Sequence, residues 1–192
     1  MRNGYGKYLP DGEVRLIIDA GANIGDTASW YLSRYPQAKV VALEPDPDNF
    51  RMLQRNCRGY GARAQLLQKG MWPRSAYLKV TGDRLMESGL SVVETDSLED
   101  ADCSSISPMD ILADTGASQI DIFKCDIEGS ERELFASDCD RWLSRTRSIF
   151  IEIHSEEARD AVMTATRRHG FSCRVYRDIH IFHRRSPSSG SL

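Results

Sequence analysis

Acidic and imidazole side chains end four apolar stretches of the 192-residue sequence. The side chains that stand at or just after the last residue of such a stretch are Asp19, Glu44, Asp126, Glu128 and His154. Apolar stretches of this kind are typical of buried parallel strands, whose carboxyl ends meet at one edge of a sheet, where ligands bind. We therefore expect these groups to surround one crevice, and their chemistry suits binding hydroxyls or amines and moving a proton.

A glycine turn follows the first apolar stretch, with the sequence DAGANIG at residues 19–25. Gly21 lets the chain turn tightly, and the helix that follows offers free N–H groups at its N-terminus. A dinucleotide fingerprint would need further glycines at the positions of Asn23 and Asp26, and an acid is poorly suited to a pyrophosphate. A nicotinamide-dependent dehydrogenase is therefore disfavoured.

Glu44 ends the second apolar stretch. A carboxylate at this position of an open sheet can accept hydrogen bonds from both hydroxyls of a ribose. A ribose site without a pyrophosphate site points to S-adenosylmethionine as the cofactor.

Asp126 and Glu128 follow the third stretch together, and His154 follows the fourth. Two carboxylates at that rim could orient a substrate, bind an amine of the cofactor or hold a divalent metal. His154 is the candidate base because an imidazole titrates near neutral pH; alternatively, it is hydrogen-bonded to a carboxylate and stabilises the rim. Together with Glu152, these residues could coordinate Mg²⁺ or Mn²⁺, although no spacing demands a metal.

The elements that would position these groups alternate between strands and helices, as in a sheet covered by helices. We expect core strands at 14–19, 40–44, 64–68, 120–125 and 148–153, a pair of exposed strands at 76–80 and 90–94, and a final hairpin at 171–176 and 179–183. Helices are expected at 24–35, 47–57, 108–115, 128–136 and 156–169, and the polar residues 95–107 are expected to form a mobile loop. This pattern predicts one α/β domain at residues 1–185, followed by a disordered tail at 186–192.

The charge and cysteine patterns limit the partners. A net charge of −3 argues against a protein that binds nucleic acid or an anionic membrane through basic residues. The charge is unevenly distributed, because residues 83–140 hold 16 acidic and only 3 basic residues. That acidic block is either a solvated face or a field that attracts a cationic ligand. The 5 cysteines show no metal spacing, and no apolar run approaches the length of a membrane span. We expect a cytoplasmic protein that binds a small molecule or glycan, and a homodimer is compatible with the sequence.

Four segments together resemble the FkbM-like S-adenosylmethionine-dependent methyltransferases: IDAGANIGDT at 18–27, VVALEPDPDNF at 40–50, IDIFKCDIEGSE at 120–131 and FIEIH at 150–154. The resemblance implies a Rossmann-like class I methyltransferase fold. This is a three-layer α/β sandwich with a mostly parallel seven-stranded sheet and an antiparallel last strand. It also implies methyl transfer, usually to a hydroxyl of a sugar or polyketide-type product.

The resemblance also implies roles for individual residues. The turn at Gly21 and Asn23 would hold the methionine part of the cofactor, and Glu44 would hold its ribose. The segment after the predicted strand at 64–68 would hold the adenine, although Lys69 and Trp72 in that segment depart from the family pattern. The expected cofactor-binding residues are Asp19, Gly21, Ala22, Asn23, Glu44, Pro45, Gly70, Met71 and Asp126. The expected catalytic residues are His154, Asp126 and Glu128.

The sequence is compatible with two other functions. The acidic middle of the chain is compatible with N-methylation of an amine or guanidine acceptor, and a domain unable to enclose an acceptor would bind the cofactor without catalysis. The first predicted strand begins at Val14, and we expect any cover over the acceptor to come from residues 83–119, from residues 1–13 or from a second subunit.

Overall fold

A computed structural model describes residues 4–10, 12–82, 90–136 and 138–184. The strands are, in chain order, β1 (Leu16–Ala20), β2 (Lys39–Leu43), β3 (Ala64–Leu67), β4 (Lys69–Met71), β5 (Tyr77–Gly82), β6 (Leu90–Thr95), β7 (Cys103–Ile106), β8 (Ile120–Cys125), β9 (Thr146–Glu152), β10 (Phe171–Tyr176) and β11 (Ile179–Arg184). The α-helices are α1 (Asp26–Arg34), α2 (Pro47–Cys57), α3 (Pro108–Thr115), α4 (Glu131–Ala136), α5 (Asp140–Leu143) and α6 (Glu156–Arg168). Short 3₁₀ helices lie at Gly4–Tyr8 and Arg58–Arg63.

Seven strands form the main sheet, in the order β3-β2-β1-β8-β9-β11-β10. The pairs from β3 to β9 are parallel, and the last strand, β11, is antiparallel to both of its neighbours. Helices α1 and α2 pack on one face, and α3 to α6 pack on the other. The predicted three-layer sandwich, with its mostly parallel sheet and antiparallel last strand, is confirmed.

Local signals in the sequence fix the helices beside the crevice. The Asp46 side chain accepts hydrogen bonds from the N–H groups of Asp48 and Asn49, so it caps α2 at the end of β2. Gly25 precedes α1 with a φ of 90°, and a Cβ there would lie 2.7 Å from Leu53 Cδ1 on α2. Glycine therefore permits both the turn and the close packing of the two helices.

A second, four-stranded sheet has the order β4-β7-β5-β6 and stands beside the carboxyl ends of the main sheet. The prediction that residues 95–107 form a loop is wrong at its end, because residues 103–106 form β7. Ser105 holds this strand in place, since its Oγ accepts from Ala76 N and donates to Arg74 O, both at 2.7 Å. Val92 on β6 faces the crevice, so this sheet supplies one wall of it.

Several expectations lie at or beyond the limits of the described residues. The tail at 186–192 lies outside them, and the single domain at 1–185 stays a prediction. Within residues 4–10, Tyr8 packs against Tyr176 with 5.8 Å between the ring centroids. Among the helices of the described ranges, none has the length and apolar character that crossing a membrane requires.

Candidate active site at the carboxyl ends of the strands

Two joined cavities open at the carboxyl ends of the parallel strands. The first, of about 270 Å³, is lined by Gly21, Asn23, Glu44, Pro45, Asn49, Gly70, Met71, Val92, Asp126, Ile127 and Glu128. The second, of about 300 Å³, is lined by Gly21, Ala22, Asn23, Ile24, Asp26, Thr27, Lys124, Cys125, Asp126, Phe150, Glu152 and Ile179. They share Gly21, Asn23 and Asp126, so one elongated ligand can lie across both. Most of the residues expected to bind the cofactor line one cavity or the other.

The glycine turn is packed tightly against the end of β8. Gly21 has a φ of 73°, and a Cβ at this position would lie 1.7 Å from the carbonyl oxygen of Asp126. The Asp126 N–H donates to Ala20 O at 3.1 Å, which joins the ends of β1 and β8. Only glycine allows this approach, and the shape of the junction between the two cavities depends on it.

Glu44 is oriented by the backbone around it. It is 6% exposed, and its Oε2 accepts from Asn23 N at 2.8 Å while its Oε1 accepts from Asp46 N at 3.0 Å. Burial raises the pKa of Glu44, and the hydrogen bonds from Asp46 and Asn23 oppose that change. Each carboxylate oxygen can accept a second hydrogen bond, so Glu44 can hold two neighbouring hydroxyls at the wall of the first cavity.

Asp19 lines neither cavity, and its expected role in cofactor binding stays a prediction. Its side chain is fully buried, and its Oδ1 lies 3.3 Å from the Nζ of Lys124. The Lys124 ammonium in turn donates to Gly21 O at 2.6 Å. Burial alone would lower the pKa of Lys124, but Asp19 and Asp126 raise it, so the ammonium stays charged. Asp19 therefore supports the glycine turn through Lys124.

His154 meets the two expected catalytic carboxylates and a third that the residue pattern did not single out. Its Nδ1 lies 2.9 Å from Glu131 Oε1, and its Nε2 lies 3.4 Å from Glu128 Oε2 and 3.8 Å from Asp126 Oδ1. The Glu131 side chain is fully buried, whereas that of His154 is 24% exposed. The structure thus brings His154 together with Asp126 and Glu128, which line the first cavity, while His154 itself is not part of that lining.

The carboxylates change the acid–base behaviour of this cluster. The hydrogen bond to Glu131, together with the charges of Glu131, Glu128 and Asp126, raises the pKa of His154 to about 9. Burial raises the pKa of Glu128, and burial together with the charge of Asp126 raises that of Glu152. At neutral pH His154 is therefore a cation, and it must lose its own proton before it can act as a base.

Some site residues lay outside the sequence-based expectations. Lys124 binds the glycine turn and Glu131 binds His154, and neither was expected. Asn49, Val92 and Ile127 complete the lining of the first cavity. Lys124 carried a signal, because it is the one basic residue in the apolar strand β8 and stands two positions before Asp126, on the same face. Glu131 belongs to the motif at 120–131, but nothing local indicates that it is buried.

The chain matches the family model described as "Methyltransferase FkbM domain" over residues 19–173. The 31-O-demethyl-FK506 methyltransferase FkbM of Streptomyces tacrolimicus is 26% identical over 199 residues, covering 88% of this chain and 76% of FkbM. The antimetabolite synthetase AmbE of Pseudomonas aeruginosa is 24% identical over 218 residues, covering 89% of this chain but only 10% of AmbE.

Solved methyltransferases share the fold at low sequence identity. Precorrin-6y C5,15-methyltransferase from Geobacter metallireducens aligns with a TM-score of 0.55 at 12% identity, covering 93% of this chain and 84% of that one. TrmK of M. capricolum, solved with S-adenosyl-homocysteine, aligns with a TM-score of 0.52 at 9% identity, covering 97% and 68%. The family match covers most of the sequence, and the mostly parallel seven-stranded sheet with its antiparallel last strand is the fold expected for that family. The chain belongs to the methyltransferase FkbM domain family.

Proposed function

We propose that this chain is an S-adenosylmethionine-dependent O-methyltransferase that acts on a hydroxyl of a small natural product or a sugar. The observation that carries the proposal is the pair of joined cavities, with Glu44 in the wall of one and Asp126 at their junction. The name of FkbM, a 31-O-demethyl-FK506 methyltransferase, supports a hydroxyl acceptor on a natural product.

The residues present fit the proposed cofactor. In the first cavity Glu44 would hold the ribose hydroxyls, and Pro45, Met71 and Val92 offer apolar surface to the adenine. In the second cavity the turn at residues 21–27 would hold the amino-acid part. When bound, the cofactor supplies a methyl group on a positively charged sulfonium, which the surrounding carboxylates favour electrostatically.

Methyl transfer to a hydroxyl requires an aligned acceptor and a group that accepts its proton. Asp126 and Glu128 can both accept a hydrogen bond from an acceptor hydroxyl at the cavity junction. Because its pKa is raised by burial, Glu128 is a stronger base than an ordinary carboxylate. His154, charged at neutral pH, orients both carboxylates and becomes a base only when it deprotonates near pH 9.

The dependence of the methyl-transfer rate on pH distinguishes these two bases. With Glu128 as base, the rate at saturating cofactor rises as this carboxylate loses its proton, in a pH range shifted upward from that of an ordinary glutamate. With His154 as base, the rate rises through about pH 9, where this imidazole loses its proton. Glu128→Gln and His154→Gln, assayed in parallel, identify which group the rise belongs to.

The first experiment is calorimetric titration of the purified chain with S-adenosylmethionine, followed by incubation of protein and isotopically labelled cofactor with a metabolite extract. We expect saturable binding that Glu44→Ala weakens, and labelled products whose masses identify hydroxylated acceptors. Absence of cofactor binding would refute the proposed function. Binding without any labelled product would favour a cofactor-binding domain that lacks catalysis.

The acidity of the site favours a second candidate, N-methylation of an amine or guanidine. Asp126, Glu128 and Glu152 are half-buried and close enough to influence one another's charge, so a cationic acceptor would be attracted to them. Comparing turnover of matched cationic and neutral acceptors at low and high salt decides between the two. A preference for the cationic acceptor that falls with salt would favour nitrogen as the methylated atom.

A further inference from the structure

We propose that Asp126, Glu128 and His154 form a binding site for a divalent cation of the Mn²⁺ type, beside the junction of the two cavities. These side chains come from the segment after β8 and the end of β9, which lie next to each other in the main sheet. The binding of the cation stands on these residues alone, whereas its role in the reaction rests on the proposed function.

The geometry is close to that of a metal site. One ligand atom from each of the three side chains lies within 4.8 Å of the other two. His154 Nε2 lies 3.4 Å from Glu128 Oε2 and 3.8 Å from Asp126 Oδ1. Ligand atoms that lie about 2.1 Å from an octahedral ion are about 3 Å from one another. Side-chain rotations that move each of these atoms by less than about 1 Å would therefore bring them into coordination.

Glu131 provides an independent indication, because it is not one of the three ligands. Its fully buried carboxylate faces His154 Nδ1 at 2.9 Å, so that nitrogen is the donor and Nε2 points to the two other carboxylates. Histidines that bind metals commonly donate their second N–H to a carboxylate in this way. Among the described residues, Glu131 Oε2 has no hydrogen-bond partner, which makes this carboxylate a costly feature if it served packing alone.

The charge around the site is also unbalanced. Asp126, Glu128, Glu131 and Glu152 place carboxylates around His154. The Lys124 ammonium lies 3.6 Å from Asp126 Oδ2, but it is shared with Asp19 and Gly21 O, so one positive charge faces several carboxylates. Even a charged His154 leaves an excess of negative charge in a partly buried place, which is costly without a counter-ion. A divalent cation would neutralise it and would take the place of the proton on His154 Nε2.

Two carboxylate oxygens and one imidazole nitrogen suit Mn²⁺, because carboxylates bind Mg²⁺ and Mn²⁺ and imidazole binds transition metals. Three protein ligands leave about three positions of an octahedral ion open. Two neighbouring oxygens of an acceptor, such as a vicinal diol, would fill two of them. The cation would then make the acceptor hydroxyl more acidic and fix its position relative to the methyl group.

The test measures Mn²⁺ binding to the EDTA-treated full chain without cofactor or acceptor, from the loss of the electron paramagnetic resonance signal of free Mn²⁺. We expect one Mn²⁺ per chain. Asp126→Asn and Glu128→Gln each remove a ligand charge and should weaken binding at least about tenfold, and Glu131→Gln should weaken it by about 10–100-fold. Glu157→Gln, an exposed change of the same kind on α6, is the matched control and should not change the affinity.

The proposal is overturned if the wild-type chain binds no Mn²⁺ up to about 1 mM, or if Glu128→Gln and Asp126→Asn bind it as tightly as the control. Circular dichroism checks that each variant is folded. The Glu128 side chain is 32% exposed, so Glu128→Gln should fold even if Glu131→Gln does not, and its Mn²⁺ affinity then decides the test. S-adenosylmethionine affinity is measured on the same samples. If the wild-type chain binds Mn²⁺ but not S-adenosylmethionine, the proposed function is refuted and the cation site stands.

Discussion

Replacing Glu131 by Gln tests whether one buried carboxylate controls the charge of His154. The substitution keeps the size of the side chain and removes the negative charge 2.9 Å from Nδ1. The hydrogen bond to Glu131 is the largest cause that raises the pKa of His154 to about 9, from an ordinary value of 6.5. In Glu131→Gln we therefore expect His154 to titrate closer to 6.5, by NMR of its ring protons in metal-free protein.

The same change predicts how stability depends on pH. The pKa of His154 is higher in the folded protein than in the unfolded chain, so its contribution is complete below about pH 6.5 and is lost as pH rises through about 9. The difference between the two pKa values corresponds to about 3 kcal/mol at most. Urea unfolding of the metal-free chain at several pH values should show this loss in the wild type and a smaller loss in Glu131→Gln.

Glu157→Gln is the control, because it removes an exposed carboxylate and should retain the wild-type pH dependence. The reasoning is refuted if His154 titrates near 6.5 in the wild type, or if it still titrates near 9 after Glu131 is replaced. In the second case Glu128 and Asp126 would be the main cause of the raised pKa.

Gly21→Ala should abolish cofactor binding in calorimetry and lower the free energy of unfolding by at least about 2 kcal/mol, because the added Cβ would overlap Asp126 O. The control is Gly59→Ala, which should be close to neutral because a Cβ there meets no other atom. Equal effects of the two substitutions would contradict the packing argument. Glu44→Gln should weaken S-adenosylmethionine binding by about 1.5–3 kcal/mol, since it removes a charged acceptor; unchanged affinity would show that Glu44 does not hold the ribose. Ser105→Ala should destabilise the chain by about 1–3 kcal/mol in urea unfolding, because it removes the two hydrogen bonds that the Ser105 hydroxyl makes to residues 74 and 76. A neutral result would mean that the backbone hydrogen bond from Ser105 N to Ala76 O and the pairing with β4 and β5 suffice.

Features of the fold that depend on neighbouring residues in the chain could be predicted from the sequence, whereas features that depend on contacts between distant segments could not. The main-sheet strands and the crevice at their ends were predictable because apolar stretches and glycine turns are local signals. Strand β7 was not, because its residues are Cys, Ser and Ile and its partners, β4 and β5, are distant in the chain. The burial of Glu131 likewise depends on how α4 meets α6 and His154, a contact that arises only in the folded protein.

Asp126 illustrates how one residue can have two separable roles. Its backbone N–H donates to Ala20 O and its carbonyl packs against Gly21, so the main chain shapes the cofactor turn. Its side chain has two partners, with Oδ1 3.8 Å from His154 Nε2 and Oδ2 3.6 Å from Lys124 Nζ. Because Lys124 also binds Gly21 O and Asp19, Asp126→Asn should leave S-adenosylmethionine affinity close to that of the wild type while it weakens Mn²⁺ binding and slows methyl transfer. Calorimetry and a turnover assay on the same sample check this, and a parallel loss of cofactor affinity would show that the carboxylate, too, supports the turn.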